Sequence, residues 1–159
     1  MKSTLSKISK LNSIGKGGKV MANYVEGKIA LTGKYTDLKR FILQGLVTES
    51  NGVPPTLDED DQCLKNTGAA LLMVDTSLLV HCWGDDIPIE LVRDDIYTIR
   101  MELSVKWKIQ SSELLDIAQK YNLNINASGE ETVDFFQQNI SIKNGQIMRD
   151  DVFKLVDID

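Results

Sequence analysis

From Tyr97 to Lys108 the chain alternates apolar and polar residues without a fault, and no other stretch limits its fold as tightly. Tyr97, Ile99, Met101, Leu103, Val105 and Trp107 fall on one side, and Thr98, Arg100, Glu102, Ser104, Lys106 and Lys108 on the other. Successive strand side chains point to opposite faces, so this is a long strand with one buried and one wet face. Trp107 is predicted to close it, buried against a following helix. Alanine there should then cost roughly 3 to 5 kcal/mol, as emptying a core aromatic does.

Tyr24 to Gly33 repeats the pattern, with Val25, Ile29 and Leu31 inward and Glu26, Lys28 and Thr32 outward. Thr36 is placed to cap a helix whose first turn carries Asp37 at the positive helix end. Leu38, Phe41, Ile42 and Leu46 give that helix its buried stripe. A second helix follows the central strand, capped by Ser111 or Ser112, with Leu114, Ile117, Ala118 and Tyr121 on one face and Asn122 closing it. A short strand comes next, over LNINA. Asn144-Gly145 between Val133–Ile142 and Gln146–Val156 is a strong hairpin signal.

Between these parts, residues 48 to 68 lose periodicity and read as a long polar loop, with Pro54-Pro55 and the run Asp58, Glu59, Asp60, Asp61. The run lacks the calcium-loop spacing of an EF-hand, so a solvated acidic loop or a patch for a basic partner is expected rather than a metal site. Ala69 to Val80 is apolar and reads as two short strands or one bent one. At its end stand His81, Cys82 and Trp83. On a strand, His81 and Cys82 point to opposite faces, which argues against a nucleophilic pair.

The chain has 159 residues, enough for one domain whose core needs no disulfide or metal staple. Two cysteines make no disulfide framework and are read as reduced thiols of a cytoplasmic protein. With one histidine and no CxxC spacing, a structural zinc would have to recruit carboxylates and is not expected. No apolar run approaches the roughly 20 residues that span a bilayer. Residues 1–20 hold five lysines and no acid, and read as a flexible basic tail preceding a domain over 21–159. The GKGGK at 15–19 resembles a phosphate loop only loosely. Outside the tail, 13 basic residues face 23 acidic ones, so the body carries −10 against −5 for the whole chain. Such a body repels nucleic-acid phosphates and suits basic partners.

The element order predicts an α+β fold, a ferredoxin-like split β-α-β antiparallel sheet with helices on one face and a C-terminal β-hairpin. Ala22-Asn23-Tyr24-Val25, Leu31, Gly33, Trp83-Gly84, Trp107, Leu114 to Tyr121, Gly129-Glu130-Glu131 and Asn144-Gly145 together resemble the YubB-type ferredoxin-like proteins of phages, plasmids and other mobile elements. Lys108-Ile109-Gln110 departs from that pattern, lacking the prolines expected after the strand-ending tryptophan. The resemblance covers about residues 21 to 156. It implies the fold and a mobile-element origin, and transfers no catalytic constellation and no cofactor.

Three functions are therefore set against one another. The first is a non-catalytic binding protein that blocks a host defence such as a nuclease, as anti-CRISPR proteins do, through an acidic surface. Its contact residues would be Asp58, Glu59, Asp60, Asp61, Asp85, Asp86, Asp94 and Asp95, and its partner a basic host protein or nucleoprotein. The second is a nucleic-acid accessory protein using the basic tail, since Arg100, Glu102, Ser104 and Lys106 offer no aromatic stacking platform. The third is a small metal-dependent enzyme built on Asp85-Asp86, Asp94-Asp95, Glu130-Glu131 or Asp150-Asp151, although adjacent acids diverge on a strand.

Overall fold

The computed structural model describes residues 23–65, 68–81 and 86–154. The basic tail over 1–20 lies outside the described residues, as do Met21, Ala22, Cys82, Trp83, Gly84 and Asp85. Strand β1 (Tyr24–Lys34) runs straight into helix α1 (Tyr35–Gly45) and then β2 (Leu46–Thr48). Five strands lead to the alternating one: β3 (Leu57–Asp58), β4 (Cys63–Leu64), β5 (Leu71–Met73), β6 (Leu79–His81) and β7 (Ile87–Arg93), then β8 (Ile96–Lys106). Helix α2 (Ser111–Tyr121) and strands β9 (Asn124–Glu131), β10 (Phe136–Lys143) and β11 (Gln146–Lys154) complete the order.

The strands pair antiparallel along the path β11-β10-β9-β1-β8-β6-β5-β2, with β7 also against β8 and the β3–β4 hairpin against β7. This corrects the expected ferredoxin-like α+β sheet with helices on one face. Among the described residues the molecule is mostly antiparallel sheet, 53% strand against 17% helix, with eleven strands in one large sheet. The residues behind the difference are 46 to 93. Residues 48–68, read as a long loop, and 69–80, read as an ambiguous apolar stretch, carry most of five strands of two or three residues, and the lead-in to β8 forms the seven-residue β7. Strands of two or three residues are shorter than any window in which alternation is visible. Only partner strands elsewhere in the chain show that they pair.

The long elements follow their periodicity. Ile99, Met101, Leu103 and Val105 of β8 are buried, as are Val25, Ile29 and Leu31 of β1, directly alongside. Leu38, Phe41 and Ile42 of α1 meet Leu114, Ile117, Ala118 and Tyr121 of α2 in one core, where the Phe41 and Tyr121 rings pack edge to face at 5.4 Å. Asn122 ends α2 in the left-handed region at φ 55°, a conformation asparagine tolerates better than most residues. Asn144 and Gly145, at φ 53° and 71°, make the two-residue turn between β10 and β11. The caps differ from expectation. Helix α1 begins at Tyr35 behind Lys34, α2 begins at Ser111 behind Gln110, and neither receives a side-chain cap.

One row of the buried face is built by omission. Gln138, Gly129, Gly27 and Leu103 stand side by side across β10, β9, β1 and β8. At Gly27 the β9 backbone itself takes the place of a side chain, and Ile109, fully buried, packs beside Gly129. The Gln138 amide holds it: the Ile109 N–H donates to Gln138 Oε1 at 2.7 Å, and Gln138 Nε2 donates to the Ile109 carbonyl at 3.1 Å.

Trp107 is the clear miss among the core residues. It is 50% exposed, because the strand ends at Lys106 and the chain turns there through φ 69° at Trp107, which swings its side chain off the inward row. Ile109 takes the buried place. Trp107→Ala should therefore cost no more than about 1 kcal/mol. A melt lowered as far as a core truncation would show that the indole packs after all.

Candidate functional site

The sequence-predicted acids fall on a short hairpin and two turns. Leu57 and Asp58 pair with Leu64 and Cys63, and β4 is pinned in turn against Pro88 and Ile87 of β7. Leu64 is fully buried and anchors the hairpin to the core. Its turn carries Glu59, Asp60 and Asp61, all exposed. An Asp58 carboxylate oxygen accepts the Asp61 N–H at 3.1 Å. That bond and the nearby Lys65 ammonium hold the Asp58 carboxyl below its ordinary pKa.

Lys65 lies 3.1 Å from Asp86 and 3.5 Å from Asp58, and Lys39 of α1 lies 2.5 Å from Glu59. The hydrogen bond and charge of Asp86 raise the Lys65 pKa, and those of Glu59 raise that of Lys39. Tertiary structure thus gathers Asp86 to the hairpin acids. Five carboxylates (Asp58, Glu59, Asp60, Asp61, Asp86) stand against two lysines, a local net charge of −3. Asp94 and Asp95 stay apart, exposed in the turn after the seven-residue β7. At about 3.3 Å per residue that puts them roughly 20 Å from the hairpin. Asp85 lies outside the described residues. The Cys63 thiol under the hairpin is pushed up in pKa by burial, helped by Asp86, Asp58 and Asp61, and is a poor nucleophile.

The other carboxylate pairs separate as adjacent strand residues do. Glu131 is buried and its carboxylate accepts the N–H groups of Val133, at 2.9 Å, and Asp134, while Glu130 is exposed on the opposite face. Asp150 accepts the Ser111 hydroxyl at 2.7 Å, and Asp151 pairs with Arg149. Among the described residues, no three His, Cys, Asp or Glu side chains converge where a metal could bind.

A feature that sequence reasoning missed lies on the wet face of the sheet. In register across five strands stand Arg149, Ser141, Asn126, Ala30 and Arg100. The adjacent row is Asp151, Asn139, Ser128, Lys28, Glu102 and His81. Short side chains at Ala30, Ser128 and Ser141 sit between long ones, and a hollow of about 560 Å³ opens above them. His81 Nδ1 lies 3.6 Å from a Glu102 carboxylate oxygen at one end. A second hollow of about 520 Å³ adjoins and shares Lys28, His81 and Glu102. Lys28 and Arg100 were legible as outward residues. Their meeting with Arg149 depends on the register of four pairings, which alternation along one strand does not encode.

Compared with known proteins, the chain matches no family model, no curated protein and no solved structure. The YubB-type likeness rests on the quoted motifs alone. Among the described residues no helix is long and apolar enough to cross a membrane.

Proposed function

We propose that this chain is a non-catalytic binding protein of a mobile element that engages a basic host protein or nucleoprotein, such as a defence nuclease, through the β3–β4 hairpin. One observation carries the reading: Glu59, Asp60 and Asp61 project from a hairpin fastened to the core, and Asp86 is drawn to its base by Lys65. Carboxylates on a fixed support lose little freedom on docking, and concentrated charge speeds the encounter more than it tightens the complex. The mobile-element setting is supported by the sequence motifs only.

The test leaves Asp58 in place, because its carboxylate braces the turn and meets Lys65. Glu59, Asp60 and Asp61 are replaced by serine, and association with a partner captured from host lysate is followed at low and physiological salt. The variant should associate on the order of tenfold more slowly at low salt, with a weaker salt dependence. Its melting temperature should stay near the parent's, since exposed charges contribute little to stability. Unchanged kinetics at both salts would remove the hairpin from the interaction.

A further inference from the structure

The hollow on the wet face runs against the charge of the rest of the molecule. In a chain of net charge −5 it collects Lys28, Arg100 and Arg149, and no Phe, Tyr or Trp side chain lines it. Arg149 is paired with Asp151, whereas among the described residues neither Lys28 nor Arg100 has a carboxylate within ion-pair distance. Lys28 stands directly beside Glu102 in register, yet no ion pair joins them. Two cations are thus held at a hollow whose lining is mostly apolar, without being neutralised by the protein.

We propose that this hollow binds a small phosphate-bearing molecule of about nucleotide size. A guanidinium presents a rigid fork of N–H groups that fits two phosphate oxygens at once, and an ammonium adds a compact charge. Asn126, Asn139, Ser128 and Ser141 supply neutral donors between them. The two arginines close the row from opposite ends, with backbones four strand spacings or roughly 19 Å apart. Both line the hollow, Arg100 beside Ala30 and Arg149 beside Ser141. A ligand carrying one carboxylate would meet only one of them, while an extended molecule with several anionic oxygens meets both. The Glu102 carboxylate stands at the side of the hollow, where a hydroxyl or amino group of that ligand would find an acceptor. The volume of about 560 Å³ falls within the range of small-molecule sites.

The full-length protein is titrated calorimetrically and melted with sodium pyrophosphate, ADP, citrate and a short single-stranded RNA, each in turn. ADP and pyrophosphate should bind and raise the melting temperature, citrate should bind more weakly, and the RNA should bind no more tightly than ADP. Arg100→Gln combined with Lys28→Gln should weaken ADP binding about tenfold or more, as should Arg149→Gln. Lys143→Gln, exposed at the far end of β10, should bind as the parent does. Without ligand the Lys28 and Arg100 variant should melt with the parent, so lost binding is not lost folding. The site is overturned if no phosphate-bearing probe shifts the melt at about 10 mM, where even weak binding to the folded state registers. It is equally overturned if the double variant binds ADP unchanged, or if citrate matches ADP. RNA binding in the absence of ADP binding would replace the small ligand by a nucleic acid.

Discussion

Gly27→Ala should unfold the protein or leave it at least about 4 kcal/mol less stable, at the far end of what single substitutions do. A β-carbon built at Gly27 would lie 1.8 Å from the Ser128 carbonyl oxygen and 2.5 Å from the Gly129 Cα. Both obstacles are backbone, so no rotamer change relieves them. Strands β1 and β9 would have to part at the middle of their pairing, where Gly27 faces Gly129. β1 is also paired to β8 along its whole length, and the separation would spread through the sheet. Urea unfolding followed by circular dichroism gives the answer. A loss below about 1 kcal/mol would mean that the sheet bends around the methyl group, and that the close approach of β1 and β9 is incidental.

Gln138→Met should cost about 2 to 4 kcal/mol while keeping the volume of the side chain nearly constant. Gln138 is fully buried on β10, and its amide is the partner of both polar groups of the buried Ile109 backbone. Methionine fills the space and satisfies neither. An orphaned N–H and carbonyl under the sheet then carry their desolvation cost. At roughly 2 to 4 °C per kcal/mol for a chain of this size, the melting temperature should fall by about 4 to 16 °C. Hydrogen exchange supplies a separate reading, since the Ile109 amide should lose its protection before the β8 amides do. If the variant melts with the parent, water reaches the Ile109 backbone and the amide clamp is dispensable.

Both predictions concern positions at which the sequence offered little to read. Gln138 lies in a run with only weak alternation and is polar, so nothing marks it as core. Its role comes from facing Gly129, whose missing side chain leaves room for Ile109. Trp107 shows the converse. It continues the β8 alternation perfectly, yet pairing stops one residue earlier and the backbone turns left-handed. Periodicity reports where a side chain would point if the strand continued, not where the strand ends.

The acids divide in the same way. That Asp58, Glu59, Asp60 and Asp61 would stand near water was legible from four adjacent charges. Whether Asp86 or Asp94 would join them was decided by the β4–β7 pairing, which sets Lys65 between Asp58 and Asp86.

By itself the sequence determined the parts whose signal is local: the inward faces of β1 and β8, the apolar stripes of the two helices, the left-handed Asn122, and the Asn144-Gly145 turn. These depend on alternation, helical spacing and turn conformation, all set by residues a few positions apart. The tertiary structure alone decided the extent of the sheet, the close approach of β1 and β9 at Gly27 and Gly129, and the hollow between Arg100 and Arg149. Each is a property of strand register between distant segments, and register is chosen by the packing of the whole sheet, which no single stretch of chain contains.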